Sequence, residues 1–257
     1  PGWFAWPDVS TLALIVVPLA VFLAYAIFGA TGFGSSIVAV PLLAHVFPLS
    51  FAVPLVTVLD TFAATSASIR QREHVAWPEF VRLLPALLVG MAIGSTLLIN
   101  LPRTPAIFAL GLFVTLYGSY LLRGPAALVR APVWLAWPIG IVGGVFSALF
   151  GTGGPIYIVF LSARIHDKTR LRATSALVVT VSVWIRFALF IATGLLLNAP
   201  VFMLAALGLP AMIVGLKLGN RMHHALSGRG VLRLIAALLL LNGVTLVWRA
   251  LADWRLT

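Results

Sequence analysis

Apolar residues run through this chain in long blocks, and polar residues interrupt them only briefly. The blocks lie at approximately 11–28, 35–47, 51–69, 80–100, 106–122, 133–150, 154–163, 173–192, 201–220 and 234–250. A helix that crosses the hydrocarbon core needs ~20 apolar residues, and most of the blocks reach or approach that length. Within lipid a chain must satisfy its own backbone polar groups, so blocks of this kind are helices. The pattern predicts an all-α polytopic membrane protein with about 8–10 embedded helical segments. Two blocks, 35–47 and 154–163, are too short to cross ~30 Å of hydrocarbon as straight helices. Each follows a longer block across a glycine-rich break, "GATGFGSS" at 29–36 and "FGTGGP" at 150–155. The expectation is a pair of glycine-broken hairpins.

The pattern also repeats. "LPALLVGMAIG" at 84–94 matches "LPAMIVGLKLG" at 209–219, at an offset of 125, and Gly118 and Gly243 extend the register. Upstream, Gly32 and Gly34 pair with Gly151 and Gly153 at an offset of 119. This is the signature of a tandem duplication. It divides the chain into a first transmembrane repeat, 1–125, and a second, 126–257, which together make one transport domain.

Composition sharpens this picture. The chain of 257 residues is 61% hydrophobic and 9% charged, far below the ~25% charged of soluble domains. Lipid is therefore its solvent and its first partner. The first apolar run reads as a membrane helix rather than a cleavable signal peptide. The net charge of +11 reads as the excess of basic residues in cytoplasmic loops rather than a nucleic-acid surface, since no basic segment alternates with exposed aromatics. Placing 70–82, 123–130, 164–172 and 221–233 inside puts 12 of the 17 Lys and Arg residues there and 3 outside. Of corresponding loops in the two halves one is basic and the other is not, 70–82 against 193–200 and 164–172 against 48–50, so the halves are expected to be inverted. Inverted repeats with broken helices are an architecture of secondary transporters.

The glycine breaks are the first candidate site. A tight turn with close helix packing accounts for them in one reading. In the other, each following helix presents its free N–H groups and positive dipole end to an anion. The residues concerned are Gly32, Gly34, Ser35 and Ser36 in the first half and Gly151, Thr152, Gly153 and Gly154 in the second, with Pro155 suited to a first helical turn. No Gly-Lys-Ser/Thr follows, so the run is not a nucleotide-binding loop.

Arg186 is the second candidate. It interrupts the run "SVWIRFALF", 14 residues beyond the charged loop at 164–172, or ~20 Å along a helix, too deep for easy snorkelling. It either pairs with Asp60, which lies mid-helix in "VTVLDTFAAT", or attracts an anionic substrate, for which its planar fork is suited. Asp60 is then a static partner, an alternating partner or a proton carrier. Lys217 lies one turn from a basic loop, and snorkelling explains it. The tryptophans at 3, 6, 77, 134, 137 and 254 flank spans and read as interfacial. Trp184 either walls the cavity beside Arg186 or meets lipid. Cysteine is absent, no metal-ligand spacing occurs among the histidines, and no cofactor motif is present. Neither is there a nucleophile–base pair, so the chain is not expected to be an enzyme.

These residues resemble the sulfite exporter TauE/SafE family, also called the toluene-sulfonate uptake permease family. The resemblance rests on "GATGFGSSIVAVPLL", "LFGTGGPIYIVFL", "RATSALVVTVSVWIRFALFIATGLL" and the twice-used "LPAxxVGxxxG", and covers nearly the whole chain. It implies a multi-pass carrier in a prokaryotic plasma (inner) membrane that moves sulfite, sulfoacetate or related sulfonates, often outward. It also implies a cation at position 186; at position 60 relatives often carry Asn, and Asp60 departs from that. The expected function is a secondary exporter of small sulfur-containing anions by alternating access with a role for protons, the alternative being a passive channel for small oxyanions.

Overall fold

The computed structural model describes residues 11–31, 34–68, 73–123, 131–225 and 228–256. Gly32, and the charged positions Arg70 and Arg72, lie outside the described residues. Ten α-helices carry the described chain: α1 Thr11–Thr31, α2 Ser35–Leu43, α3 Leu49–Ser68, α4 Trp77–Asn100, α5 Arg103–Arg123, α6 Ala136–Phe150, α7 Gly153–Ser162, α8 Lys168–Ala192, α9 Ala199–Ala225 and α10 Gly228–Leu256. A 3-10 turn, Val133–Leu135, leads into α6. With that turn counted into α6, eight described helices are long and apolar enough to cross a membrane. The two short helices, α2 and α7, are those whose blocks were too short to span. They fold back on α1 and α6 respectively.

Helix pairing follows the duplication. α1 packs along α9, α6 packs along α4, α3 meets α8, and α5 meets α10. The glycines of the repeated "VGxxxG" make the first two pairings close. A methyl at Gly215 would lie 2.6 Å from the Phe22 carbonyl oxygen, and one at Gly94 would lie 2.5 Å from the Val145 carbonyl oxygen. Gly90 meets Ile141 in the same way, and Gly219 meets Ala26. Phe22 and Ile141, like Ala26 and Val145, stand at the 119 offset, so one contact is built twice. Small residues allow such backbone approach where lipid supplies no hydrophobic drive. Gly29, expected in the first break, is instead helical and packs against Leu216 and Asn220 of α9. The break begins only after Thr31.

The self-paired helices run antiparallel. Gly111 of α5 meets Gly243 and Val247 of α10, while Gly118 meets Ala236 and Leu240. In α3 and α8, Asp60 reaches Arg186 and the Thr180 hydroxyl donates to the Ala64 carbonyl at 3.1 Å.

Burial places the site. Residues 51–61 of α3 are all buried, making α3 the innermost of the long helices. One apolar cluster is built mainly by α1, α2, α3, α5, α9 and α10. The other is built by α4, α6, α7 and α8. Large apolar side chains such as Ile15, Leu116 and Trp248 face outward, as suits a lipid-facing surface. Trp77, Trp134, Trp137 and Trp254 are exposed near helix ends, consistent with the interfacial reading, and Lys217 is exposed as well. At the α7–α8 turn, Arg164 makes a two-pronged bond to Glu79, at 2.6 and 2.9 Å. It also donates to the Ala131 carbonyl at 2.7 Å. The hydrogen bonds to Glu79, with its charge, hold Arg164 protonated above the usual arginine range. The cluster ties the beginning of α4 and the approach to α6 to the end of α7. Asp167 caps α8 by accepting from the Arg170 N–H at 2.7 Å.

Candidate functional site

The breaks form where two glycines adopt left-handed backbone: Gly34 at φ 93° and Gly151 at φ 73°. A Cβ is disfavoured there. The two tips touch. A methyl on Gly151 would lie 2.7 Å from the Ser36 hydroxyl oxygen and 2.9 Å from Nη1 of Arg186. Glycine at 151 is thus required twice, by its φ and by the space it leaves.

Arg186 and Asp60 meet at this junction. Arg186 is the largest fully buried side chain described, 1% exposed, and Asp60 is 4% exposed. Nη2 of Arg186 donates to Oδ2 of Asp60 at 3.1 Å, and Nη1 donates to the Ser147 carbonyl at 2.8 Å. The second carboxylate oxygen accepts from the Tyr25 hydroxyl at 2.7 Å and from the Ser35 hydroxyl at 2.6 Å. Ser36 donates to Oδ2 at 2.5 Å. Four donors therefore fill the approximately four acceptor positions of one carboxylate. An isolated charge in this interior would be very costly, and the pair together with its hydrogen bonds makes it tolerable.

A cavity opens beside the pair. It is bordered by the first turns of both short helices, through Gly34, Ser35 and Ser36 on one side and Thr152 and Gly154 on the other. Asp60, Gly151 and Arg186 also line it. Three buried polar side-chain atoms among the described residues have no hydrogen-bond partner: Oγ1 of Thr152, the Tyr157 hydroxyl and Nε of Arg186. All three residues line this one cavity. Buried polar groups are nearly always paired, and this cluster of exceptions leaves bonding capacity for a molecule that enters the cavity. Nε–H of an arginine only donates, and both hydroxyls can donate. The Asp60 acceptors are already occupied, and the unpartnered atoms can all donate, which is compatible with an anion.

The sequence-derived candidates divide accordingly. Gly34, Ser35, Ser36, Asp60, Gly151, Thr152, Gly154 and Arg186 come together at the cavity. The hydroxyls of Ser35 and Ser36 donate to Asp60. Gly153 does not line the cavity. It packs against the Gly143 carbonyl, Ser147 and the Tyr157 ring, because the helix has already turned it away. Trp184 is 47% exposed and its indole N–H donates to Thr65 at 3.0 Å, so it faces outward and does not wall the cavity. Tyr25, Ser147, Tyr157 and Ser182 belong to the site and were not anticipated. Isolated hydroxyls in apolar helices carry no pattern of their own. Tyr157 and Ser147 do stand close to the glycine break, which is the signal that could have found them.

Comparison with known proteins places the chain in a family. A family model described as "Sulfite exporter TauE/SafE" matches residues 17–246. The chain is 31% identical to "Probable inner membrane transporter protein TsaS" of Comamonas testosteroni over 199 residues, covering 76% of this chain and 83% of that one. It is 26% identical to "Probable sulfite/organosulfonate exporter TauE" of Cupriavidus necator over 237 residues, 87% of this chain and 90% of the relative. No solved structure matches. Because the matched span takes in both helix breaks, the repeated glycine motif and the helix that carries Arg186, this chain belongs to the sulfite exporter TauE/SafE family.

Proposed function

We propose that this membrane transporter exports small sulfur-containing anions, of the sulfite or organosulfonate class, across the inner membrane by alternating access. The carrying observation is Arg186, fully buried at the meeting of two helix N-terminal ends with its Nε–H unpartnered. Two positive dipole ends and spare donors converge on the space beside the Arg186–Asp60 pair, and an oxyanion that displaces Asp60 from Arg186 gains the cation as well. The family description and the name of the Cupriavidus relative supply the sulfur chemistry of the cargo, and the name of the Comamonas relative supplies the inner membrane.

Two observations support inverted repeats as the moving parts. The repeat maps α3 onto α8 and α5 onto α10, and both pairs are antiparallel. A pseudo-twofold axis along the membrane normal would make such pairs parallel, whereas one in the membrane plane makes them antiparallel. In this reading the Arg186–Asp60 bridge joins the halves in the empty state. An anion that engages Arg186 competes with Asp60 for it, which makes Asp60 the candidate proton carrier. Substrate and proton movement are thereby coupled.

The test is a binding screen on purified protein with sulfite, sulfate, thiosulfate, sulfoacetate and taurine. Sulfite or a sulfonate should stabilise the wild type against heat and leave Arg186→Gln unaffected. Equal stabilisation of both proteins by the same anion would overturn the assignment of Arg186. Counterflow separates a carrier from a channel, because trans-substrate accelerates exchange only through a carrier.

A further inference from the structure

We infer that Thr152 and Tyr157 are substrate ligands that select anions with three oxygens on the central atom over two-oxygen carboxylates. The inference rests on the proposed anion site and assigns its specificity.

Thr152 is the N-cap residue of α7, yet its hydroxyl makes no capping bond. An N-cap threonine ordinarily accepts from the N–H of the second or third helical residue. Here the third residue is Pro155, which has no N–H. The proline removes one capping partner, and Oγ1 is left 1% exposed and without a bond at the cavity wall. The second helical residue, Gly154, also borders the cavity and has open space where a side chain would be, its nearest neighbour being a Val179 methyl at 3.4 Å.

Tyr157 is held rigidly. Its ring fills the space beside Gly143 and Gly153, both of which would clash with it if they carried a methyl. Phenylalanine would pack as well in that slot. The hydroxyl adds nothing to packing; it stands near the Ser147 and Ser182 hydroxyls, but these bond each other at 2.6 Å and leave it without a bond of its own, which is unfavourable for a buried group. Its position is explained if a ligand completes its bonding. With Nε–H of Arg186, the two hydroxyls make a set of three donors around one cavity. A carboxylate presents its lone pairs in one plane, whereas the three oxygens of a sulfite or sulfonate head group point in three directions, so the pyramidal group is the better match for donors carried by three separate side chains. A polar site left with unpaired groups rejects the ligand that fails to pair them.

The experiment compares methanesulfonate with acetate, which share a methyl group and a single negative charge, by calorimetric titration of the purified protein. The wild type should bind methanesulfonate more tightly. Thr152→Val and Tyr157→Phe should each weaken methanesulfonate about tenfold, the effect of losing a bond to a charged group. Acetate binding should change little, so the preference collapses. Thr152→Ser, which keeps the hydroxyl, should retain the preference. Three results would overturn the inference: a wild type without preference for methanesulfonate, an unaltered preference in both hydroxyl-deleting variants, or a loss of both anions in equal measure. Arg186→Gln separates this from the broader reading. If it abolishes binding of both anions while Thr152→Val and Tyr157→Phe behave as wild type, Arg186 remains the anion site and these two hydroxyls are not ligands.

Discussion

Arg186 and Asp60 illustrate what single residues reveal. A charge within an apolar run is conspicuous in a sequence because hydrocarbon tolerates it poorly, and both residues were visible for that reason. Their pairing was one of two readings, since the alternative, a free arginine, has the same sequence. The distance of 3.1 Å shows that they pair, and the unpartnered Nε shows that the pair does not use all of the donors of Arg186. Tyr25 and Tyr157 were not legible, because an aromatic in an apolar helix resembles packing and only the fold shows where its hydroxyl points. At this scale, Arg186→Gln should lower thermal stability, since removing one member of a buried pair costs about 3–5 kcal/mol. Adding Asp60→Asn should restore much of that loss, as thermal unfolding in detergent would show; an undiminished loss in the double variant would mean that the pair is not the source. Arg186→Lys keeps the charge without the planar fork and should weaken sulfite binding less than Arg186→Gln does. Asp60→Asn alone should abolish accumulation driven by a pH gradient while leaving substrate exchange measurable. Unchanged dependence on the gradient would reduce Asp60 to a structural partner.

Among the elements, the two short helices were legible from block length and the glycine runs. Their exact starts were not, because glycine serves both breaks and helix packing. Gly29 and Gly153 show this: both sit in or beside a glycine run, and both prove to be packing contacts. The pairing of α1 with α9 and of α6 with α4 was hidden, since the repeated motif marks a tight interface without naming its partner. Gly151→Ala should damage the site most among these glycines, through both its φ of 73° and the space taken from Ser36 and Arg186. Gly154→Ala, with room for a methyl, should fold normally and alter only anion binding. Size-exclusion profiles and sulfite titrations of the two variants check this. Equal loss of folding in both would contradict the distinction drawn between a turn glycine and a cavity glycine.

At the scale of the whole molecule, duplication and loop charge pointed to inverted halves, and the antiparallel α3/α8 and α5/α10 pairs support the same arrangement. The chain has no cysteine, so single cysteines can be placed without further engineering. His166→Cys in the α7–α8 turn should react with a membrane-impermeant maleimide only from the inside, and Asn198→Cys before α9 only from the outside. Labelling of both from one side would contradict the arrangement. The central claim is that Arg186 binds the travelling anion and does not merely neutralise Asp60. Counterflow of radiolabelled sulfite in proteoliposomes, comparing wild type with the Arg186→Gln/Asp60→Asn double variant, tests it most directly. The wild type should show trans-accelerated exchange and the folded double variant none above background. Near-wild-type exchange by the double variant would contradict it.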